Sequence, residues 1–389
     1  MKRLKSIFKT ICLIITGLLC ATSVIGQTQA EKMDSVEFSL LTCQPHEEIY
    51  SLYGHTALRY HNLRTKEDIV FNYGVFNYKQ PYFVLRFVFG LTDYELGIAP
   101  LDGFCAYYKH WGSMIVEQKL NLTNEEKLKM QQALAINLRP ENRVYRYNIF
   151  YTNCSTQPRD LVESILNGRI VYEPRKDYVP SFRQIIHKYT AHHPWTTMGI
   201  DLLLGVKADL NTTQREQEFL PDNLLYNFDH ARILSPDGTY RPLVKERTII
   251  VPSGVKTIEQ DFPLSPTACA IVLLVISLVI FALEYKQKTT YRWWDSLLML
   301  MQGLAGCILF VMLFSQHPTT STNLQLLLLN PLPLFFIPVV LHKRKTIYFR
   351  LLLLMIVFFF IGGIWQDYAE GLEIVALCLL LRYMKHYKG

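Results

Sequence analysis

The stretch that decides the fold of the N-terminal half covers residues 143–166 and reads RVYRYNIFYTNCSTQPRDLVESIL. Its first part alternates in side-chain character up to position 151, which predicts a β-strand. Its second part has apolar residues at helical spacing, which predicts a helix that ends near Gly168. Pro158 falls in the first turn of that helix, where proline is tolerated. The stretch therefore predicts a strand-to-helix junction with Cys154 at the junction.

Four further runs on the N-terminal side are rich in β-branched and aromatic residues, and they predict strands over 36–42, 52–60, 69–76 and 114–120. A capping box formed by Thr123 and Glu126 predicts the start of another helix, and Pro140 lies beyond its end. Strands followed by helix, strand and helix predict an α+β domain.

The C-terminal part of the chain is dominated by long apolar runs. A bilayer core of about 30 Å needs roughly 20 helical residues, and five runs approach that length: 264–283, 296–315, 324–341, 347–365 and 372–384. Prolines interrupt the third run, which predicts a kink or a partly re-entrant segment there. We therefore expect an all-α transmembrane bundle of about five helices over 263–389.

The N-terminal segment and the charges that follow the apolar runs predict the topology of the chain in the membrane. Residues 1–26 have a basic start and a short apolar centre, which is typical of a signal peptide or an N-terminal anchor. Lys and Arg follow the first, third and fifth apolar runs, and the positive-inside rule puts those segments in the cytoplasm. We expect a multi-pass protein of the bacterial inner membrane, with residues 27–262 in the periplasm and a cytoplasmic C-terminus.

The charge pattern narrows the class of partner. The chain of 389 residues has a formal charge of +7, but no stripe of Lys and Arg with interleaved aromatic residues, so no nucleic-acid partner is predicted. No Asp, Glu or Lys lies centrally in the first four apolar runs, which favours an anchoring bundle over a transporter or proton pump. A groove that admits lipid beside the extramembrane domain is the alternative.

Three of the eight cysteines, Cys43, Cys105 and Cys154, fall in the region expected to be exported. An odd number in an oxidising compartment predicts at most one disulfide. The economical pairing joins Cys43 to Cys105 and leaves Cys154 free. The alternative is that all three are unpaired.

Cys154 is the candidate nucleophile. A thiol at a helix N-terminus has a lowered pKa, which makes the thiolate available near neutral pH. Such a nucleophile needs a base, usually a histidine, and His55 follows Gly54 in a predicted strand. The competing histidines are His46, His61, His110, His187, His192, His193 and His230. Composition alone favours the alternative that Cys154 is a small buried residue.

Several short motifs together resemble one known family. They are LTC at 41–43, GHTALR at 54–59, FNYGVF at 71–76, and NCST at 153–156 followed by RD at 159–160. They resemble the Lnb N-terminal periplasmic domain family over about residues 35–190, and the apolar tail resembles the same architecture. That family is similar to the circularly permuted papain-like, or lecithin:retinol acyltransferase-like, group, in which the histidine precedes the cysteine as His55 precedes Cys154.

The resemblance implies a membrane-bound lipoprotein N-acyltransferase. Such an enzyme moves an acyl chain from a phospholipid, through a thioester on Cys154, to the N-terminal amine of diacylated lipoproteins. The resemblance implies no cofactor and no metal. It also implies a papain-like catalytic domain over 27–190 and the transmembrane domain. Residues 191–262 show no clear motif and are expected to form a periplasmic subdomain or connector.

Supporting roles are expected for other residues near the motifs. Asn72 is the preferred group to orient the His55 ring, and Asp68 is its alternative. Asn153, with backbone N–H groups around Cys154, is expected to hold the oxyanion.

Three charged residues complete the expected site. Arg159 and Asp160 are expected to form an ion pair that fixes the Cys154 turn rather than to act chemically. Arg59 is expected either to touch a phosphate headgroup or to be an ordinary charge on a strand. The competing functions are a papain-like cysteine peptidase or amidase acting on peptidoglycan, and a non-catalytic membrane sensor.

Overall fold

The computed structural model describes residues 32–48, 51–77, 79–255, 262–342 and 348–387. The signal peptide expected over 1–26 lies outside these residues, as do the basic residues 343–345. The described chain divides into two compact units. The sheet unit contains 32–77, 93–174 and 215–255, and the helical unit contains 79–92, 175–214 and 262–387. These units differ from the contiguous ranges expected from sequence. Residues 215–255 join the sheet unit, whereas residues 79–92 and 175–214 join the helical unit.

Ten strands lie in the described residues: β1 Val36–Cys43, β2 His55–Asn62, β3 Glu67–Val75, β4 Asp93–Pro100, β5 Ile115–Leu120, β6 Val144–Arg146, β7 Ile170–Val171, β8 Arg232–Leu234, β9 Tyr240–Pro242 and β10 Val244–Val251. Seven of them form one antiparallel sheet in the order β10-β5-β1-β2-β3-β4-β6. The short strands β7, β8 and β9 form a second antiparallel sheet.

Thirteen α-helices lie in the described residues: α1 Phe83–Val88, α2 Leu101–His110, α3 Asn124–Asn137, α4 Thr156–Ile165, α5 Phe182–Thr190, α6 Pro194–Leu203, α7 Gln214–Gln217, α8 Pro221–His230, α9 Pro266–Gln287, α10 Arg292–Met312, α11 Leu332–Leu341, α12 Tyr348–Gly362 and α13 Leu372–Tyr387. The predicted capping box is present, since the side chains of Thr123 and Glu126 each bond the other residue's backbone N–H.

Apolar side chains cover both faces of the large sheet. On one face, alternate residues such as Leu58 and Phe71 pack with α3, α4 and α8 in the main core. On the other face, Ala57 and Val70 pack with Phe104 and its neighbours on α2. The alternation follows from the two-residue period of a strand. The unit is therefore an α/β domain built on an antiparallel sheet, and β2 is packed on both faces.

The strand predicted over 143–151 is shorter than expected, because it pairs with β4 only as far as Arg146. Beyond it, Asn148 and Thr152 exchange two backbone hydrogen bonds of 2.9 Å. The Asn148 side chain also accepts the N–H groups of Phe150 and Tyr151 at 3.0 and 3.2 Å. An asparagine that bonds the backbone just ahead of it favours a turn over a strand, and this turn brings the chain to Cys154.

Three helical segments of the described residues are long and apolar enough to cross a membrane: Pro266–Gln287, Arg292–Met312 and Leu324–Leu341. The fourth expected span corresponds to the shorter apolar helix α12, and the fifth corresponds to α13. The third begins as a 3-10 turn, Leu324–Leu327, and continues as α11. This break agrees with the interruption that its prolines predict.

A buried charge cluster joins α9, α10 and α13. Arg382 donates to Glu284 at 2.7 and 2.9 Å and to Asp295 at 2.7 Å, and all three side chains are fully buried. Lys385 reaches Glu284 at 2.7 Å from a partly exposed position. Because each carboxylate is paired by a charged donor, the cluster connects three helices without leaving an isolated charge.

Replacing Arg382 by alanine should therefore leave two buried carboxylates without their main partner. We expect a loss of about 3–5 kcal/mol in the stability of the helical unit, seen as a lower unfolding temperature of the detergent-solubilised protein. Lys385→Ala is the matched control and should cost much less, because Glu284 keeps both bonds to Arg382. Equal losses in the two variants would show that the cluster does not stabilise the bundle in this way.

Candidate functional site

His55 is the first residue of β2, and it lies opposite Cys43 of β1 in the sheet register. The preceding residue, Gly54, has a φ of +75°, and a Cβ there would lie 2.6 Å from the carbonyl oxygen of Cys43. Only glycine fits this turn without strain. Gly54 thus lets the chain enter β2 so that the imidazole stands at the end of the strand.

Asn72 fixes the tautomer of the His55 ring. The ring Nε2 lies 2.9 Å from Asn72 Oδ1, and the backbone N–H of Gly74 donates to the same oxygen at 2.8 Å. The Gly74 N–H can only donate, so that amide atom is the acceptor oxygen and His55 Nε2 carries a proton. Nδ1 is then the ring nitrogen left for the thiol. The pairing of β3 with β4 is irregular between Asn72 and Val75, and such bulges re-aim side chains at sites.

The Cys154 thiol lies beside the His55 ring, whose charge and side-chain hydrogen bond both act to lower the pKa of the thiol. The backbone N–H of Thr56 and the side chain of Ser155 also bond the sulfur. Desolvation raises the pKa of the Cys154 thiol, but the charge and hydrogen bond of His55 outweigh it, so the pKa is lowered overall. Burial lowers the pKa of His55, but the Cys154 charge and the bonds to Cys154 and Asn72 outweigh it, so the pKa is raised. These opposite shifts favour a thiolate–imidazolium pair.

The turn that carries Cys154 is held by the Asn153 side chain. Its Oδ1 accepts the backbone N–H groups of Ser155 and Thr156 at 2.9 and 3.0 Å. Its Nδ2 donates to the carbonyls of Ile149 and Phe219, both at 2.8 Å. The oxyanion role expected for Asn153 is therefore wrong in this structure, because both of its donor hydrogens are already used. Asn153 instead positions the start of α4.

A second bond ties the Cys154 turn to the strand of His55. Ser155 Oγ lies 2.9 Å from Thr56 Oγ1, and both residues are buried. A buried hydroxyl pair is costly to break because each group would lose its partner away from water. The bond therefore helps to hold the sulfur and the imidazole in register.

Arg59 and Asp68 pair with each other rather than with the site. Arg59 donates two hydrogen bonds to Asp68, at 2.8 and 2.6 Å, and one to Glu117 at 2.8 Å. The headgroup role considered for Arg59 is thus not supported, since its donors face two carboxylates. Asp68 bonds Arg59 and lies 4.0 Å from His61. The side chain that bonds the His55 ring is Asn72, the residue preferred from the sequence.

Arg159 and Asp160 form the expected ion pair, with 2.9 Å from Arg159 Nε to the Asp160 carboxylate. Arg159 also donates to the buried Glu218 at 3.2 Å and to the Arg215 carbonyl at 3.0 Å. These bonds connect α4 to the residues that precede α8. The pair is therefore structural, in keeping with the interpretation preferred above.

The disulfide expected between Cys43 and Cys105 is absent, since both thiols are free. Desolvation raises the pKa of Cys43, against a hydrogen bond from Tyr108, and desolvation also raises the pKa of Cys105. Cys154 is partly exposed and has a lowered pKa. Among these three cysteines, Cys154 is thus the one whose environment lowers the pKa of the thiol, which favours the thiolate.

Aromatic residues that sequence reasoning did not select line the surroundings of Cys154. Tyr94 stacks on Phe76 at 4.9 Å between ring centroids and on Tyr147 at 4.0 Å. The pKa values of Tyr94 and Tyr147 are raised, mainly by burial, and the charge of the nearby Cys154 adds to the effect. The aromatic residues in the first part of the 143–166 stretch could have indicated this aromatic cluster, but their alternation predicts a β-strand.

Gly74 provides a test of the His55 position. An alanine Cβ at 74 would lie 2.6 Å from His55 Cε1 and 3.1 Å from Asn72 Oδ1, so the His55 ring must shift from its native position. We expect Gly74→Ala to slow alkylation of Cys154 by iodoacetamide at neutral pH about tenfold, because displacing the His55 cation raises the thiol pKa and lowers the fraction of thiolate. The alkylated Cys154 peptide is quantified by mass spectrometry.

The control is Gly103→Ala in α2, where a Cβ would meet nothing within 4 Å. This variant should be alkylated at the native rate. If Gly74→Ala is also alkylated at the native rate, the contact between the ring and the thiol is not what lowers the pKa.

The arrangement supplies a nucleophilic thiolate, an imidazole that can give and take a proton, and a backbone N–H at the sulfur. These are the parts of a covalent acyl-transfer site. Among the described residues, no group of three or more His, Cys, Asp or Glu side chains could hold a metal ion.

The two halves of the chain match two models of the same protein family. Residues 26–189 match the model of the Lnb N-terminal periplasmic domain, and residues 257–388 match the model of the Lnb transmembrane domain. No curated protein and no solved structure matches the chain significantly. The chain therefore belongs to the Lnb family and is a membrane protein with an N-terminal periplasmic domain and a C-terminal transmembrane domain.

Proposed function

We propose that the protein is a thiol-dependent lipoprotein N-acyltransferase of the membrane. The observation that carries the proposal is the hydrogen-bonded pair of Cys154 and His55, oriented by Asn72, in the periplasmic domain of a protein that also has a transmembrane domain. The bilayer supplies an acyl donor in the form of phospholipid. The acceptor is the N-terminal amine of a diacylated lipoprotein, which is held in the same bilayer by its own lipid.

In the first half-reaction, the Cys154 thiolate attacks the ester carbonyl of a phospholipid acyl chain. A carbon–sulfur bond forms, and the carbon–oxygen bond to the glycerol breaks. The leaving alkoxide takes the proton of the His55 imidazolium, which releases a lysophospholipid and leaves His55 neutral. The raised pKa of His55 suits this role, since the ring still holds its proton when the thiolate attacks.

In the second half-reaction, the lipoprotein amine attacks the thioester carbonyl. A carbon–nitrogen bond forms, neutral His55 takes the proton of the amine, and the carbon–sulfur bond breaks. The products are an N-acylated lipoprotein and the restored thiolate–imidazolium pair. Because the Asn153 side chain is already bonded, backbone N–H groups are the proposed oxyanion donors. The Thr56 N–H is the candidate, since it bonds the thiolate and is released as the sulfur loses its negative charge to the acyl carbon.

We also propose that the periplasmic domain has a permuted papain-like fold and that the C-terminus of the chain is cytoplasmic. His55 opens a strand and precedes Cys154, which lies just ahead of α4, as in the permuted papain-like arrangement. Tyr94 and Tyr147, which are close enough for the charge of Cys154 to affect their pKa values, stack with Phe76 in an aromatic cluster suited to an acyl chain. The loop charges favour the inner membrane with a cytoplasmic C-terminus.

The test is complementation of a bacterial strain that lacks its lipoprotein N-acylation activity. The native chain should restore triacylated lipoproteins, as measured by mass spectrometry of lipoprotein N-terminal peptides. Cys105→Ser should restore them as well, and Cys154→Ala should not. Lipoproteins that stay diacylated with the native chain present and folded would contradict the proposal, and release of muropeptides from purified cell wall would favour the peptidase alternative.

A further inference from the structure

The segment between β3 and β4 belongs to the helical unit although both strands belong to the sheet unit. Its described residues, 79–92, read KQPYFVLRFVFGLT and include helix α1. We name these residues the β3–β4 insert. Three of its large side chains are strongly exposed, with exposed fractions of 78% for Tyr82, 55% for Leu85 and 42% for Phe87. Neighbouring apolar side chains exposed to this degree mark an interaction surface.

Hydrogen bonds fix the insert to the residues that follow α10. Gln316 N–H donates to the Phe89 carbonyl at 3.0 Å, and Ser315 Oγ donates to the Val88 carbonyl at 2.7 Å. His317 Nε2 donates to the Phe87 carbonyl at 3.0 Å. The insert is therefore attached within the helical unit at the point where α10 ends.

A close backbone approach reinforces this attachment. Gly90 has a φ of +69°, and a Cβ there would lie 3.2 Å from both Gln316 Cβ and His317 N. A side chain at position 90 would be strained by its conformation and crowded by its neighbours. Gly90 thus lets the insert lie directly against residues 316 and 317.

The level of this attachment is set by the candidate span. Helix α10 is long and apolar enough to cross a membrane and ends at Met312, so residues 315–317 lie where the chain leaves the bilayer core. The start of α9, on the same side of this helical pair, shows the same chemistry. Trp195 Nε1 donates to the Leu264 carbonyl at 2.8 Å, and its ring lies 6.1 Å from the exposed Phe262. Tryptophan and other aromatic residues gather at membrane–water interfaces.

The charges of the insert suit the same level. It contains Lys79 and Arg86 and no acidic residue. Cationic side chains beside exposed apolar ones favour the boundary between phosphate headgroups and acyl chains. A protein could also cover the exposed side chains of the insert, but the charge pattern favours lipid headgroups.

We propose that the β3–β4 insert is a membrane-interface anchor whose Tyr82, Leu85 and Phe87 side chains enter the periplasmic leaflet among phospholipid headgroups and upper acyl chains. The insert is continuous in sequence with β3, which carries Asn72 and Gly74. Lipid contact and the strand that orients His55 are thus joined by the same stretch of chain. If the proposed acyl transfer is correct, on which this consequence rests, the anchor helps the enzyme to engage phospholipid donors in a bilayer.

Photocrosslinking tests the anchor without any reliance on activity. The photoreactive residue p-benzoylphenylalanine is placed at position 85 of the full chain, which is reconstituted in nanodiscs of phosphatidylethanolamine and phosphatidylglycerol. We expect a phospholipid mass adduct on the peptide that carries position 85. Position 304, 53% exposed on α10, is the positive control. An adduct at 304 without one at 85, or a crosslink from 85 to a co-purified protein instead of lipid, would overturn the proposal.

A kinetic experiment tests the consequence. Leu85→Asp should raise KM for phospholipid presented in nanodiscs about tenfold, because a charge at the interface opposes insertion and weakens uniform binding of the donor. Thioester formation from a water-soluble short-chain acyl ester should stay within twofold of the native rate. The controls are Leu85→Met and Tyr240→Asp, and the second adds a charge at an exposed aromatic residue of β9. Both controls should keep the native KM for phospholipid and the native rate of thioester formation from the short-chain ester.

Native KM values for both donors in Leu85→Asp would contradict the anchor. Failure of the native chain to form a thioester from either donor would instead contradict the proposed function, and the photocrosslink would still decide the anchor.

Discussion

Cys154→Ala is expected to lower the rate of acyl transfer by about 10⁴-fold or more, because it removes the atom that must form the acyl bond. The loss should appear equally in the first half-reaction, measured as release of lysophospholipid, and in the formation of acylated lipoprotein. The protein should stay folded, since Cys154 is partly exposed and the turn around it is held by the Asn153 side chain.

Two other cysteines provide matched controls for this prediction. Cys105→Ser changes a partly exposed free thiol, and Cys43→Ser changes a buried one that lies opposite His55. We expect Cys105→Ser to keep the native rate of acyl transfer within twofold. Cys43→Ser should lower the folding stability of the protein more than it lowers the rate of acyl transfer. If Cys154→Ala retains activity while Cys43→Ser abolishes it, the nucleophile has been assigned to the wrong thiol.

His55→Gln is expected to lower the rate of thioester formation by about 10³-fold, within the range of general acid–base catalysis. It should also change the pH profile. In the native protein the pKa of Cys154 is lowered and that of His55 is raised. The rate should therefore rise as pH passes the lowered thiol pKa and fall as pH passes the raised imidazole pKa, above which no proton is available for the leaving alkoxide.

Without the imidazolium, the pKa of Cys154 should return upward, so the rising limb of the profile moves to higher pH and the falling limb disappears. His61→Gln is the matched control, because His61 lies on the same strand near Asp68 and should leave both limbs in place. An unchanged rising limb in His55→Gln would show that another group lowers the thiol pKa.

Much of the architecture follows from local sequence signals. The capping box at Thr123 gives the start of α3 because both of its hydrogen bonds join residues three apart. Long apolar runs mark the candidate spans, because a bilayer requires a minimum helix length. His55 and Asn72 are near in sequence and lie on neighbouring strands, so a contact of His55 with β3 could be predicted, whereas the choice of Asn72 over Asp68 depends on the strand register.

Features that depend on distant parts of the chain could not be predicted in this way. The Asn153 side chain donates to the Phe219 carbonyl, and that contact removes it from the expected oxyanion role. Strand β10 completes the large sheet beside β5, although its own sequence does not state a partner. The burial of Arg382 with Glu284 and Asp295 likewise depends on helix packing, which residue spacing within one helix does not determine.

In the proposed reaction, Cys154 accepts an acyl chain from phospholipid. The most direct test incubates the purified full-length protein in nanodiscs with a phospholipid of defined acyl chains and no lipoprotein acceptor, followed by acid quenching and peptide mass spectrometry. We predict one acyl mass adduct on the peptide carrying Cys154, removed by neutral hydroxylamine and absent in Cys154→Ala. An unmodified Cys154 in a preparation that still acylates added lipoprotein would contradict it.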